Sequence, residues 1–309
     1  MTGLFILIIA VALDVLLGEL PDRLHPVAWL GKFIDVQLKL TPAGGRLSQF
    51  ACGAWTVVFT TCLIILPLYF LLALIQSWNI VVYILLAAWL LKQTFSLRGL
   101  WQAVEKVKQC IKDDNITTAR SQIKALVSRR SDDLSRSQLI SAAIESCSEN
   151  LCDSVIAPLL FYAIFGLPGA MAYRIVNTFD AMIGYHGRWE YTGKFAARLD
   201  DVLNYLPARL SALLIVFSSH LCKASAGLAW AGMLRENGKT ESPNAGWPMG
   251  AMAGSLGITL EKADAYRLDG GAGELTVESI GRSQAIMLVA ASGWIILNII
   301  LQVVYGFAG

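Results

Sequence analysis

Charge is scarce in this chain. Only 16% of its 309 residues are Asp, Glu, Lys or Arg, against about 25% in an ordinary soluble domain. With 55% hydrophobic residues, a water-soluble globule is excluded and lipid must cover the surface. The net charge of +2 leaves no footprint for nucleic acid, which is not an expected partner. Six cysteines (Cys52, Cys62, Cys110, Cys147, Cys152, Cys222) show no CxxC spacing and no paired framework, which argues against structural zinc and disulfides, and reduced thiols are expected. Three histidines, His25, His186 and His220, are too scattered for zinc catalysis. There is no Gly-x-Gly-x-x-Gly, Walker or Gly-x-Ser-x-Gly sequence, which argues against a Rossmann domain, a P-loop domain and a serine hydrolase. Neither strand alternation nor an internal repeat is visible, so the class is all-α.

What is present is apolar helix. A hydrocarbon core of about 30 Å needs about 20 mainly apolar residues, and residues 3–20, 50–75, 79–92, 208–230 and 284–307 fit, giving a polytopic protein of about five transmembrane helices. The opening, MTGLFILIIAVALDVLLGEL, lacks a basic n-region and a small-residue cleavage site and is expected to stay as the first span. The short turn Gln76-Ser77-Trp78-Asn79 makes the second and third spans a helical hairpin. Residues 154–166 are short for a crossing, and a re-entrant or buried helix is expected there.

Between 92 and 150 ten Lys/Arg appear. Leu97, Leu100, Val104, Val107 and Ile111 recur at helical spacing opposite Glu105, Lys106, Lys108 and Lys112, which predicts an amphipathic helix. A second helix is expected through Ile116, Ile123 and Leu126, and a third from near Ser131, with Asp132 and Asp133 in its first turn. The chain reads as one integral membrane domain, 1–309, with a helical insertion, 93–150, placed in the cytoplasm by the positive-inside rule.

The densest polar cluster is Glu145-Ser146-Cys147-Ser148-Glu149-Asn150-Leu151-Cys152-Asp153. Glu145, Glu149 and Asp153 lie at i, i+4, i+8, so on a helix they share a face, where like charges repel unless something cationic holds them, Mg²⁺ or basic side chains. Asn177 and Asp180 share a face at i, i+3, as do Asp201 and Asn204, while Arg198 and Arg209 suit a phosphate. Ser242 to Gly254, with Asn244 and Trp247, reads as a Gly/Pro/Asn loop in which glycine allows close approach and the indole suits a flat ring system. Asp14 sits at depth in the first span and demands a partner, an arginine being the first candidate.

Taken together these segments resemble the CobD/CbiB family of cobalamin biosynthesis, the adenosylcobinamide-phosphate synthases. The matching stretches are Asp14-x-x-x-Gly18 with His25-Pro26-Val27, then ESCSENLCDSVIAPLLFYAIFGLPGAMAYRIVNTFDAMIGY, AARLDDVLNYLPARLSA and SPNAGWPMGAMAGSLG. They run from end to end of the chain. Ala181 stands where a serine is expected and Phe165 where a second glycine is expected.

The resemblance implies a multi-pass enzyme of the bacterial cytoplasmic membrane, its active site facing the cytoplasm. It would join the propionate carboxylate of adenosylcobyric acid, a corrinoid, to the amine of aminopropanol phosphate, using ATP and Mg²⁺. The lipid bilayer and other membrane-associated late corrinoid enzymes are further expected partners. With the spacing arguments, the expected catalytic set is Glu145, Glu149, Asn150, Asp153, Asp180, Asp200 and Asp201, with Glu149, Asp153, Asp180 and Asp201 on the metal. The expected substrate-binding set is Asp14, His25, Asn177, Arg198, Asn204, Arg209, Ser242, Asn244 and Trp247. All six carboxylates of the catalytic set are expected at one Mg²⁺-dependent site.

Three other readings compete. A membrane prenyltransferase would also use Asp200-Asp201-x-x-Asn204 with Mg²⁺, a corrinoid carrier would bind without chemistry, and a relative in β-lactamase regulation would look similar overall. Glu145, Asn150, Asp180 and Asp200 favour the synthase. Topology gives a first test: positive-inside bias predicts that cysteines placed singly at Lys106, Arg130, Arg198 and Lys239 escape an impermeant reagent added to intact cells. Strong labelling at 198 would place that segment outside.

Overall fold

The computed structural model describes residues 1–308 except 22, 40, 42, 43, 128–130, 186 and 264, and of residues 307 and 308 only the backbone. Asp22, Arg130 and His186 therefore lie outside the described residues. The helices are α1 (Thr2–Leu17), α2 (Pro26–Leu38), α3 (Arg46–Trp78), α4 (Ile80–Lys92), α5 (Leu97–Lys112), α6 (Ile116–Ile123), α7 (Arg136–Leu151), α8 (Ala157–Ile183), α9 (Glu190–Leu203), α10 (Tyr205–Leu221), α11 (Ala226–Glu236), α12 (Gly246–Leu256) and α13 (Val277–Ala308). A π-helical turn, Cys152–Ile156, follows α7, and strands β1 (Thr259–Lys262) and β2 (Tyr266–Asp269) precede α13.

Among the described residues, four helical stretches are long and apolar enough to cross a membrane: Arg46–Trp78, Ile80–Lys112, Arg136–Ile183 and Val277–Gly306. α9 and α10, bent by 48°, make a fifth if taken as one span. Leu63, Leu66, Phe70, Leu71 and Leu74 of α3 are exposed, a continuous apolar face that lipid covers. The protein is a polytopic helical membrane protein.

Several spans differ from expectation. α1 has 16 residues, about 24 Å of helix, because Gly18 ends it at φ 70°. Residues 154–166 are not an isolated short helix but part of the stretch Arg136–Ile183, broken where Gly166 adopts φ 67° two residues before Pro168, a proline kink. The expected span 208–230 is two helices, since Lys223 is left-handed (φ 55°) and Ser225 caps α11 by accepting from the Leu228 N–H. The turn at 76–79 is shorter than expected: Asn79 alone separates α3 from α4, and its Oδ1 accepts from the Val81 and Val82 N–H groups.

The chain forms two compact units: residues 1–96, 157–203 and 298–309 in the first, 97–156 and 204–297 in the second. In the first, Ile34, Leu38, Val57, Ile175, Val176, Phe179, Ile183 and Ala196 make a buried core from α2, α3, α8 and α9. The helices meet backbone to backbone: a Cβ on Gly53 of α3 would stand 1.9 Å from the Thr192 carbonyl oxygen, and one on Gly193 of α9 would stand 1.7 Å from that of Ile183.

The second unit holds nearly all of the expected insertion 93–150, together with 204–297. In α5 the stripe Leu97, Leu100, Val104, Val107 and Ile111 is buried, as its spacing predicts. α7 starts later than expected. Ser135, not Ser131, is its N-cap and forms a capping box with Gln138, while the Ser131 hydroxyl donates to the Arg120 carbonyl. The hairpin is also a difference from the all-helical reading of the sequence. Its strands pair Thr259 with Asp269 and Leu260 with Leu268, and only these two leucines face the interior, too short an alternation to stand out.

Close packing at Gly193 generates a prediction. Gly193→Ala or Gly53→Ala forces two backbones apart and should cost on the order of 1–3 kcal/mol of stability. Gly227→Ala, with open space around it, should be neutral or stabilising. Thermal unfolding in detergent compares the three, and equal midpoints would contradict the packing described.

Candidate functional site

In the first unit the polar residues near the amino terminus form one ionic chain. Asp14 is 1% exposed, and its partner is a lysine of α4, not an arginine: Lys92, itself 4% exposed, places Nζ 3.3 Å from Asp14 Oδ1 and 2.7 Å from Glu19 Oε1. Glu19 Oε2 in turn meets His25 Nε2 at 2.8 Å. His25 caps α2, its Nδ1 accepting from the Val27 N–H, so Nε2 carries the proton and donates to Glu19. Burial works to raise the Glu19 pKa, but hydrogen bonds from His25, Lys92 and Ser96 and the Lys92 charge outweigh it and hold the carboxyl at about 2. Asp14 is thus taken up in holding α1 to α4, which explains its burial without a substrate.

The second polar group of this unit joins two of the matching stretches. From α8, Asn177 Nδ2 donates to Asp200 Oδ1 of α9 at 3.3 Å, and Asn177 Oδ1 accepts from Arg174 Nη1 at 3.4 Å. Asp200 is buried, and Asp180 and Asp201 are half-buried. The Asp180 carboxylate folds over the end of its helix, where a Cβ on residue 184 would lie 2.0 Å from Oδ1, so only Gly184 fits. Arg198 is exposed.

In the second unit Glu145 is buried with both oxygens engaged. Oε1 accepts from the Ser141 hydroxyl at 2.6 Å and Oε2 from the Tyr266 hydroxyl at 2.8 Å, while the Ser141 oxygen accepts from the Glu261 N–H at 2.8 Å. These bonds bind α7 to both strands of the hairpin. Glu149 and Asn150 are half-buried on α7, and Asn150 Nδ2 donates to the Ser146 carbonyl. Asp153 falls in the π turn, so it does not continue the 3.6-residue face of Glu145 and Glu149 as expected. Such turns recur where a side chain must be re-aimed at a functional site.

Also in this unit, Asn204 is buried, and its Oδ1 accepts from the Cys152 thiol at 3.9 Å. Arg209 of α10 donates from Nη1 to Asn244 Oδ1 at 3.3 Å and to the Tyr205 carbonyl at 2.6 Å. Its guanidinium carbon stands 3.5 Å from the Tyr205 ring centroid and 4.5 Å from that of Trp247. The Asn244 N–H donates to the Ser242 hydroxyl. Most of the expected Gly/Pro/Asn loop is helix α12. Gly246, Gly250 and Gly254, four apart, form a flat face, and Cβ atoms on Gly250 and Gly254 would stand 2.8 Å and 2.1 Å from the carbonyl oxygens of Gly232 and Leu228 in α11.

Sequence reasoning missed Lys92, Tyr266 and Glu236. Glu236 is fully buried, accepting from Arg235 Nε at 2.6 Å, Lys239 Nζ at 2.7 Å and the Asp269 N–H at 2.8 Å. Burial works to raise its pKa, and these donors together lower it below the ordinary carboxylate value. The one signal for Lys92 was a cation ending an otherwise apolar helix, α4.

Among the described residues no three His, Cys, Asp or Glu side chains are grouped to hold a metal ion. Glu145 is occupied by two hydroxyls, Asp200 accepts from an amide, and Asp180 lies over Gly184. Mg²⁺ commonly takes one or two carboxylates and completes its shell with water and phosphate oxygens. Glu149 and Asp153 are half-buried in the second unit, as are Asp180 and Asp201 in the first.

A polytopic helical membrane protein with paired polar side chains at its helix ends is the class that fold and site define. The sequence profile of the family described as CobD/Cbib protein matches residues 7–288. A cobalamin biosynthesis protein CobD of Dehalococcoides mccartyi is 43% identical over 296 residues, covering 96% of each chain. Probable cobalamin biosynthesis proteins CobD of Methanococcus aeolicus and Methanococcus vannielii are 36% identical over 305 residues (97% of each chain) and 40% identical over 280 (88% of each). No solved structure matches. The chain belongs to the CobD/Cbib family.

The buried ion pair yields a prediction. Lys92→Met leaves Asp14 charged and buried and should cost about 3–5 kcal/mol, whereas Asp14→Asn in the same chain should recover much of it. Unfolding in detergent measures both, and strictly additive losses would mean the two side chains are not coupled.

Proposed function

We propose that this chain is the amide-forming enzyme of cobalamin assembly in the bacterial cytoplasmic membrane, with its chemistry on the cytoplasmic side. It condenses the propionate carboxylate of adenosylcobyric acid with the amine of aminopropanol phosphate to give adenosylcobinamide phosphate. A carboxylate does not acylate an amine in water unaided. ATP transfers its γ-phosphoryl group to the carboxylate oxygen and ADP leaves. The amine then attacks the acyl phosphate, inorganic phosphate departs with the carboxylate's oxygen, and the amine's proton passes to water.

Family membership supports the pathway, and one observation carries the site: side chains from separate matching stretches are fixed against each other, Asn177 on Asp200. Asn177 sets the direction of the Asp200 carboxylate, and Arg174 fixes Asn177. Glu149 and Asp153 in one unit, and Asp180 and Asp201 in the other, are each candidate carboxylates for the Mg²⁺ that ATP would bring as co-substrate. Such an ion would supply charge that neutralises the phosphates during transfer.

Asp153→Asn, Asp180→Asn and Asp201→Asn each keep the side chain's shape and remove its charge. Each should lower product formation by about 10²–10³, or 2.7–4 kcal/mol, with the unfolding midpoint unchanged. The assay is mass spectrometry of purified protein in detergent with adenosylcobyric acid, ATP, Mg²⁺ and aminopropanol phosphate. Near-normal turnover in all three at unchanged Mg²⁺ dependence would remove these residues from the chemistry.

A further inference from the structure

Arg198 and Arg209 are alike by spacing, and the structure separates them. Arg198 is an exposed cation on α9. The guanidinium of Arg209 is half-buried and walled by two rings, Tyr205 at 3.5 Å and Trp247 at 4.5 Å. Its bonds to protein run from one nitrogen, Nη1, to two uncharged oxygens, the Asn244 amide and the Tyr205 carbonyl. Among the described residues no carboxylate stands within salt-bridge distance of it.

Three physical points follow. An arginine that merely staples two helices is ordinarily neutralised when its water is taken away. Here two rings lie against the guanidinium and no carboxylate among the described residues cancels its charge. The planar fork presents five N–H donors, and those on Nε and Nη2 remain for a ligand in the plane that the rings define. Finally, the side chain folds back onto Tyr205, the first residue of α10, where the helix dipole is itself positive, so local electrostatics favour an anion.

We propose that Arg209, clamped by Tyr205 and Trp247 and directed by Asn244, is a binding site for a terminal phosphate dianion. A guanidinium fork matches two phosphate oxygens in one plane. The rings hold that plane, and Asn244 occupies the edge turned away from the ligand. Trp247 thus serves as a wall for the arginine on at least one face, in place of the flat-ring platform its isolated position suggests. The inference rests on the proposed reaction for its two phosphate sources, the phosphorylated amine and the γ-phosphate of ATP, which share this chemistry.

The test is direct binding, independent of turnover. Calorimetry on the full chain in detergent compares aminopropanol phosphate, unphosphorylated aminopropanol and a non-hydrolysable ATP analogue with Mg²⁺, for wild type, Arg209→Gln and Arg209→Lys. Arg209→Gln should weaken one phosphate compound by about 10–100-fold, the equivalent of one charged hydrogen-bonded contact. Arg209→Lys, which keeps the charge and loses the fork, should fall between. Unphosphorylated aminopropanol should bind all three proteins alike. Whichever phosphate compound responds identifies the source. Unchanged affinity for both phosphate compounds, equal loss for all three ligands, or no phosphate binding by wild type would overturn the site. Phosphate binding through Arg209 without amide formation by wild type would instead refute the proposed reaction and leave the site standing.

Discussion

A carboxylate set among apolar helices loses its water and must be given donors, and this requirement organises the polar interior of the protein. Asp14 has Lys92, Glu145 has two hydroxyls, Asp200 has the Asn177 amide, and Glu236 has two cations and a backbone N–H. An unpaired buried charge costs several kcal/mol, so each of these bonds also fixes the elements that supply the donors. α4 is tied to α1, the hairpin to α7 and α11, and α9 to α8. The acidic residues proposed for function are therefore also fasteners, and the two roles separate only when the donors are counted.

Close backbone packing is the second constraint, and it serves the first. Lipid exerts no hydrophobic pull between helices, so contact relies on small residues that let backbones approach. Gly53 and Gly193 do this in one unit, Gly250 and Gly254 in the other. The distance from Asn177 on α8 to Asp200 on α9 depends on helices held this closely.

Much of this was legible in the sequence, because membrane helices advertise themselves by length and composition and an amphipathic helix by its period. α5 buried the five residues its spacing marked. The pairing of stretches at Asn177–Asp200 was foreshadowed only by resemblance, since spacing places residues on a face and says nothing of what that face meets. Breaks were harder. Lys223, the π turn at 152–156 and the late start of α7 are set by single-residue backbone states and caps. The four-residue strands carry too little alternation to show. Asp14 was rightly expected to need a partner, but Lys92 lies far along the chain, and the choice between lysine and arginine is made by geometry. The glycine-rich stretch looked like a loop because glycine suits loops. Its four-residue period, the sign of a packed helix, was the stronger signal.

The proposed reaction is an ATP-driven ligation, and the path of one oxygen atom tests that most directly. Adenosylcobyric acid labelled with ¹⁸O in the reacting carboxylate is turned over by the purified protein with ATP, Mg²⁺ and aminopropanol phosphate, and the phosphate released is analysed by mass spectrometry. Carboxylate activation through an acyl phosphate predicts one labelled oxygen in inorganic phosphate for each amide formed. Amide formation with unlabelled phosphate, or without ATP consumption, would contradict it.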